Sequence, residues 1–298
     1  MSTFRAWLRL IRVPALPTAL ADVWLGAAVM GYLFTWTAVW LSLISLALYA
    51  AGMILNDVHD VEEDRRDNPG RPVPSGQISR SAATAAGLAL LAAAVLGAVM
   101  VGRLALAVAA LLAVLVLTYD FVLKAGPLGP LNMGLCRAAN VALGMAVAPP
   151  AMVGEIPVNL LATVPIFVYI WSVTCLARHE ATGANAKARL MPSLGVGLVV
   201  AGLAPLLIMK LSRLFAGVYD FGSVRFVGFY VLAGLAALGV AALVWRARNI
   251  RRTVTIALVG IIPLQAFVAL AQFCVPEGAC IMLLLIPVLL LRKLSHIT

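Results

Sequence analysis

Residues Asn56 to Asp64 combine one amide and three aspartates at a spacing that suits a helix. They read N-D-x-x-D-x-x-x-D, and at 100° per residue Asn56, Asp57, Asp60 and Asp64 share an arc of about 100°. Carboxylates placed so closely repel one another unless a cation lies between them. Oxygen ligands favour a hard cation, and Mg²⁺ usually binds one or two carboxylates together with substrate phosphates. The spacing therefore predicts a Mg²⁺ and diphosphate site formed by these four residues.

The alternative is that this stretch is only a solvated acidic linker. Six of the twelve acidic residues of the chain lie between Asp57 and Asp67, and charge runs of this kind are common in loops. A linker does not explain why one set of acids shares a helical face directly after an apolar segment. We therefore favour the metal site.

Two cationic residues follow at positions suited to phosphate binding. Arg71 opens the segment R-P-V-P-S-G, whose prolines and glycine predict a rigid turn, and a guanidinium binds phosphate through two parallel hydrogen bonds. Lys124 comes five residues after Tyr119, just past an apolar segment. Lys124 taken alone is explained equally well as a residue that fixes membrane topology.

A second polar group lies in the segment A-R-H-E-A-T-G-A-N-A-K at the end of another apolar run. Arg178, Glu180, Asn185 and Lys187 are its candidates for binding substrate, and Glu180 is also a candidate metal ligand. Because only one acid is present, an ion pair between Arg178 and Glu180 at a helix end explains the pattern equally well.

Three polar residues lie inside apolar segments. Asp22 is within the first, and Arg137 and Asn140 are within the fifth. Ionisable groups in a membrane are costly, so they are candidates for a functional site. Either Asp22 and Arg137 neutralise each other as a structural pair, or these residues line a pocket for a polar substrate.

The rest of the chain predicts how these residues are positioned. The sequence has 298 residues, 63% hydrophobic and 11% charged, with a mean hydropathy of +1.03, which indicates a polytopic all-α membrane bundle forming one domain over residues 1–298. Ten apolar segments are predicted as spans: 15–34, 38–56, 82–101, 104–121, 131–152, 159–178, 191–211, 226–246, 254–273 and 279–292. The last is short and contains Pro287, and the hairpin around Arg103 must be tight.

The net charge of +10 comes from basic residues between apolar segments, and no separate basic domain exists, so nucleic acid is excluded as a partner. Lys and Arg concentrate in alternate connections. The positive-inside rule therefore predicts that both termini and the acidic stretch face the cytoplasm. We expect an integral protein of a bacterial cytoplasmic membrane with its active site on that side.

With these motifs in place, the chain resembles the UbiA superfamily of intramembrane prenyltransferases over nearly its whole length. The resemblance is carried by N56-D-V-H-D-V-E-E-D64, R71-P-V-P-S-G76, Tyr119 with Lys124, and the polar segment after the sixth span. A finer similarity to the EboC-like branch is carried by R-V-P-A-L-P-T-A-L-A-D-V-W-L-G, G-P-L-N-M-G-L-C-R-A-A-N and A-R-H-E-A-T-G-A-N.

This resemblance implies a nine-helix bundle around a central cavity open to lipid, so the tenth apolar segment is either an added span or a helix on the membrane surface. It implies Mg²⁺-dependent transfer of an isoprenyl group from a prenyl diphosphate. In the resemblance, Asn56, Asp57, Asp60 and Asp64 hold Mg²⁺, Arg71 and Lys124 bind diphosphate, and Tyr119 lines the cavity. The usual second acidic motif is reduced here, because Ala184 stands four residues after Glu180. The first motif is therefore expected to carry most of the metal binding.

The acceptor is open at this point. The EboC-like resemblance implies a small polar, cyclitol-like acceptor, with Asp22 as a candidate for binding its hydroxyl groups, whereas other members of the superfamily prenylate aromatic rings in quinone synthesis. A CDP-alcohol phosphotransferase is disfavoured because its D-G-x-x-A-R signature is absent from the sequence. A transporter is the alternative from a different class, and broken helices at mid-membrane would favour it.

Overall fold

The structure, a computed structural model, describes residues 3–181, 250–271 and 274–294. Within these ranges every regular element is a helix, in agreement with the predicted all-α bundle. The α-helices are α1 (Thr3–Leu10), α2 (Leu16–Val29), α3 (Trp36–His59), α4 (Val61–Asp67), α5 (Arg80–Val99), α6 (Arg103–Thr118), α7 (Gly129–Met145), α8 (Ile156–Asn159), α9 (Thr163–Ala181), α10 (Ile250–Ala271), α11 (Val275–Leu283) and α12 (Leu285–Leu294). The predicted spans 191–211 and 226–246 lie outside the described residues.

Among the described residues, four helical segments are long and apolar enough to cross a membrane. They are Thr3–Val29, Trp36–His59, Arg80–Val99 and Arg103–Leu123. Their outer faces carry exposed aliphatic side chains such as Leu96, which suits contact with lipid tails. The predicted last span, 279–292, forms two helices, α11 and α12, which are separated at Leu284.

Polar caps and one glycine define where the central helices begin and end. Thr35 and Ser79 cap α3 and α5 by accepting hydrogen bonds from backbone N–H groups at 3.2 Å. Gly102, with φ 142°, joins α5 to α6 in a backbone conformation that favours glycine. The tight hairpin predicted around Arg103 is therefore confirmed.

Helices α2 and α7 approach at two glycines. A Cβ atom on Gly26 would collide with the carbonyl oxygen of Val141, and one on Gly144 would collide with the carbonyl oxygen of Val23. Small residues of this kind let helix backbones meet closely in membranes. Polar side chains along this seam are consequently brought within hydrogen-bonding distance.

The acidic motif lies where α3 gives way to α4. Helix α3 ends at His59, and Asp60, with φ −80° and ψ 2°, is the one residue before α4 begins. Helical hydrogen bonds nevertheless continue across this point, since the N–H of Asp60 donates to the Asn56 carbonyl and that of Asp64 donates to the Asp60 carbonyl. The expected continuous helix is therefore present with a local break at Asp60.

Candidate functional site

A cavity of about 330 Å³ lies between α3, α6 and α7. Its walls are apolar, with Leu48, Leu112, Val116 and Met133 among the lining residues. Its polar lining falls into two groups, one around Asn56 and one around Ser45, and these positions are about 16 Å apart along α3 at 1.5 Å per residue. The cavity therefore joins two different polar environments through an apolar passage.

We call the first group the acidic cluster. Its members are the residues that pair around the α3–α4 junction: Arg12, Asn56, Asp57, Asp60, Asp64, Arg71, Asp120 and Lys124. Arg71 lies 2.5 Å from Asp64 and 3.7 Å from Asp57, and Lys124 pairs with Asp60. Arg71, Asp60 and Lys124 line the cavity, as does Tyr119. The predicted phosphate-binding cations thus lie beside the predicted metal ligands.

The three aspartates of the motif do not meet at one point as the helical spacing predicted. In the described part of the chain, no three Asp, Glu, His or Cys side chains are grouped to hold a metal ion together. Each aspartate instead has its own cationic partner, because like charges separate when counter-charges from neighbouring elements are available. The motif residues that line the cavity, Asn56 and Asp60, nevertheless offer amide and carboxylate oxygen atoms, which suit Mg²⁺.

Arg12 belongs to this cluster although the sequence analysis did not single it out as a site residue. Its guanidinium donates to Asp57 Oδ1 at 3.1 Å and also lines the cavity. Its backbone is left-handed, with φ 52°, and in the described ranges it alone among non-glycine residues has a positive φ. Such conformations cost about 1 to 3 kcal/mol and concentrate at ligand sites. The backbone strain was not readable from the sequence.

Asp120 is the second member that sequence reasoning missed. It lies in a π-helical turn, Tyr119–Leu123, and its Oδ1 accepts a hydrogen bond from Asn56 Nδ2 at 2.9 Å. π-Turns of this kind occur frequently at functional sites. The available signal was its position, since an acid next to Tyr119 and four residues before Lys124 is unusual at the end of an apolar segment.

The polar group around Ser45 is called the buried network. It consists of Asp22, Ser45, Arg137, Asn140 and Gln265. Arg137 lies 3.0 Å from Asp22, Asn140 donates to Asp22 at 3.0 Å, and Gln265 also bonds to Asp22. Ser45 donates to Asn140 Oδ1 at 2.8 Å. The proposed Asp22–Arg137 pair is therefore present. Asp22 itself is fully buried, whereas Ser45, Arg137 and Asn140 line the cavity.

The polar segment after the sixth predicted span is only partly described. Arg178 donates to the carbonyl oxygens of Gly126 and Ala125 at 2.6 and 2.9 Å, so it fastens the connection between α6 and α7. Glu180 is in α9, but its side chain is outside what the structure describes, and Asn185 and Lys187 lie outside the described residues altogether. A role for Arg178 in substrate binding remains a prediction.

The charged side chains of the acidic cluster lie at one end of the cavity, and the polar edge of the buried network lies at the other, deeper end. The cationic side chains of the acidic cluster suit a diphosphate, the apolar walls suit a hydrocarbon chain, and the exposed polar edge of the buried network suits a hydroxylated or amide-bearing group. A molecule that reacts here would therefore have its leaving group at one end of the cavity and its partner within the same enclosed space.

Comparison with known proteins agrees with this geometry. Residues 15–258 match the model of the UbiA prenyltransferase family. A digeranylgeranylglyceryl phosphate synthase from Ignicoccus hospitalis is 36% identical over 180 residues, which cover 60% of this chain and 58% of that protein. The synthase of the same name from Methanopyrus kandleri is 33% identical over 150 residues, covering 49% and 55%. The chain therefore spans a little over half the length of these relatives.

Solved structures show the same fold. A UbiA homologue from Aeropyrum pernix superposes with a TM-score of 0.64 at 19% identity, covering 87% of this chain and 96% of that one. A homologue from Archaeoglobus fulgidus bound to GPP and Mg²⁺ gives a TM-score of 0.60 at 15% identity, covering 90% and 98%. With the family model matching most of its length, this chain belongs to the UbiA prenyltransferase family and is an integral membrane protein.

Proposed function

We propose that the chain transfers an isoprenyl group from a prenyl diphosphate to a small polar acceptor within the membrane, with Mg²⁺ as cofactor. The observation that carries this is the pairing of Arg12, Arg71 and Lys124 with three aspartates at one end of an apolar cavity. In this proposal residues 1–298 form one membrane domain, with both termini and the acidic cluster facing the cytoplasm of a bacterial cell.

The residues of the first motif are the proposed metal ligands. Of Asn56, Asp57, Asp60 and Asp64, the two that line the cavity, Asn56 and Asp60, would hold Mg²⁺ directly, with Asp57 and Asp64 beside them. Glu180 is the further candidate from the reduced second motif. Two oxygen donors and a diphosphate are enough for Mg²⁺, which keeps waters in its remaining positions. When bound, the cation supplies positive charge that stabilises the departing diphosphate.

Side-chain cations supply the rest of the charge. Arg71 and Lys124 bind the diphosphate and stabilise the negative charge that develops as its bond to the prenyl C1 atom breaks. Each of these cations starts next to an aspartate, so the pairing orients it before substrate arrives. The apolar walls hold the prenyl chain and exclude water from the electron-poor C1 atom. Tyr119 lines the cavity beside this reaction space.

The acceptor occupies the deeper polar end. Arg137 and Asn140 line the cavity and form its binding edge, and Asp22 fixes their orientation from the fully buried side. Two acceptor classes fit this edge, because both present hydroxyl groups. One is the cyclitol implied by the EboC-like resemblance, and the other is a prenylated glyceryl phosphate, suggested by the name of the relatives from Ignicoccus hospitalis and Methanopyrus kandleri. An aromatic acceptor has fewer polar groups to meet this edge.

Wild-type protein reconstituted in sealed lipid vesicles tests the proposal, because vesicles report both turnover and passage of a substrate across the membrane. Geranylgeranyl diphosphate is supplied with Mg²⁺ and a panel of cyclitol, prenylated glyceryl phosphate and aromatic acceptors, and diphosphate release and product mass are recorded. We expect Mg²⁺-dependent release together with a new lipid whose mass equals acceptor plus prenyl group. Passage of the diphosphate across the membrane without turnover would favour a transporter and refute the proposal.

A further inference from the structure

Asp120 contains a buried carboxylate oxygen that has no hydrogen-bond partner among the described residues. The residue is 4% exposed and lines the cavity, its Oδ1 accepts from Asn56 at 2.9 Å, and its Oδ2 is buried without a hydrogen bond. A buried carboxylate oxygen left unpaired is costly, and most such groups in proteins have a partner. An atom in this position therefore indicates a ligand.

The surroundings of Asp120 favour a cation as that ligand. Asp60 lines the same cavity and is close enough for its charge to interact with that of Asp120. Two carboxylates that face one space repel each other unless positive charge lies between them. Lys124 and Arg12 provide part of this charge, but they pair directly with Asp60 and Asp57, and no described residue bonds to Asp120 Oδ2.

The hydrogen bond between Asn56 and Asp120 leaves a second oxygen atom available as a metal ligand. Because the Asn56 amide nitrogen donates to Asp120, the amide oxygen is the atom of Asn56 that remains for metal binding. The π-turn Tyr119–Leu123 also places residues at the cavity. Its hydrogen bond from the Lys124 N–H to the Tyr119 carbonyl, at 2.9 Å, closes the turn, and Tyr119, Asp120 and Lys124 all line the cavity.

We infer that Asp120 is a ligand of the divalent cation at the acidic cluster, supplied from the end of α6 and outside the N-D-x-x-D-x-x-x-D motif. With Asp60 and the Asn56 oxygen it provides two carboxylates and an amide, a set that Mg²⁺ accepts together with a diphosphate. It also supplies an acidic side chain to a site whose second sequence motif is short of acids. The inference rests on the proposed function, since it assumes that the cluster binds a cation.

Mn²⁺ binding tests this without relying on catalysis. Purified protein in nanodiscs is titrated with Mn²⁺ in the presence of inorganic diphosphate, and free Mn²⁺ is followed by electron paramagnetic resonance. Asp120→Asn keeps the shape of the side chain but removes its charge, so we expect Mn²⁺ affinity to fall about 10- to 100-fold, the range for loss of a group supporting a metal site. The matched control is Glu62→Gln, which changes an exposed acid already paired with Arg65, and it should bind as wild type does.

A second variant separates the role of the charge from that of folding. Asp120→Glu keeps a carboxylate and should bind Mn²⁺ more tightly than Asp120→Asn, whereas equal losses in the two variants would contradict a ligand role. Wild-type affinity in Asp120→Asn would overturn the inference. If wild-type protein transfers prenyl groups while Asp120→Asn binds Mn²⁺ normally, only this inference fails. If wild-type protein binds no Mn²⁺, the inference and the proposed cofactor fail together.

Discussion

The acidic cluster and the buried network both pair aspartates with cations, yet they differ in how much water reaches them. In the acidic cluster the side chains of Arg12, Arg71 and Lys124 are 43%, 34% and 35% exposed. In the buried network Arg137 is 12% exposed and Asp22 is fully buried. One cluster therefore has cations at the boundary with solvent, and the other has its charges enclosed among helices.

Because of this difference in exposure, we infer different roles for the aspartate–cation pairs of the acidic cluster and of the buried network. The cations of the acidic cluster reach solvent even though their aspartate partners are largely buried, so water is available to these cations as they turn from carboxylate to phosphate. Breaking an enclosed pair leaves a charge with no solvent, so Asp22 and Arg137 stay together. The acidic cluster is suited to a reaction in which charges change partners, and the buried network is suited to holding a binding surface in place.

Removing the buried acid should have the largest effect on folding. Asp22→Asn leaves Arg137 without its counter-charge, and we expect a loss of about 3 to 5 kcal/mol in stability, the range for breaking a buried pair. Thermal unfolding in detergent measures it. The double variant Asp22→Asn with Arg137→Gln removes both charges and should recover most of the loss. If Asp22→Asn alone is as stable as wild type, the structural role inferred for the buried network is contradicted.

Lys124→Ala should produce the opposite result. Its partner Asp60 is partly exposed, so stability should change little, whereas loss of a charge that stabilises the departing diphosphate should slow transfer about 10²- to 10³-fold. Turnover and melting temperature measured on the same preparation separate the two effects. A large loss of stability with normal turnover of the folded protein would place Lys124 with the structural residues.

Gly144→Ala tests whether the helix seam supports the buried network. The added methyl group would collide with the backbone of Val23, so we expect a loss of about 1 to 3 kcal/mol, typical of overpacking. Gly154→Ala is the control, because no atom lies within 4 Å of its new Cβ. Equal melting temperatures for the two variants would show that close α2–α7 contact is not required.

Glu62→Gln should have the smallest effect of these changes. Both side chains of the Glu62–Arg65 pair are exposed, and neither lines the cavity. The free energy of unfolding should therefore change by less than about 0.5 kcal/mol, and turnover should match wild type. Melting and transfer assays check both values. A strong loss of transfer would mean that the acidic stretch acts through its total charge and not through selected residues.

Much of the fold was predictable because hydropathy and turn residues act locally. The long apolar segments predicted α3, α5 and α6, and the hairpin around Arg103 followed from its short connection. The break at Asp60 was not predictable, since a helical projection assumes one uninterrupted helix. Division of the last segment at Leu284 likewise depends on packing against α10 and α2.

The site was predictable where a local motif or the family resemblance marked its residues. The first motif, Arg71 and Lys124 do come together, although as ion pairs and not as one converging set. Arg12 and Asp120 were missed because no motif marks them as site residues and their partners are 45 and 64 residues away. The Asp22–Arg137 contact was one of two open alternatives, since sequence does not show which faces of α2 and α7 meet.

The most direct test of the central claim, that the acidic cluster performs metal-dependent prenyl transfer, is transfer measured in membranes with Asp57→Asn and Asp60→Asn. Both substitutions keep side-chain shape and remove one charge from the proposed metal and diphosphate site. We predict loss of transfer by at least about 10²-fold in each variant at normal expression, comparable to removal of one stabilising group. Near-normal transfer in both variants would contradict the metal-site account.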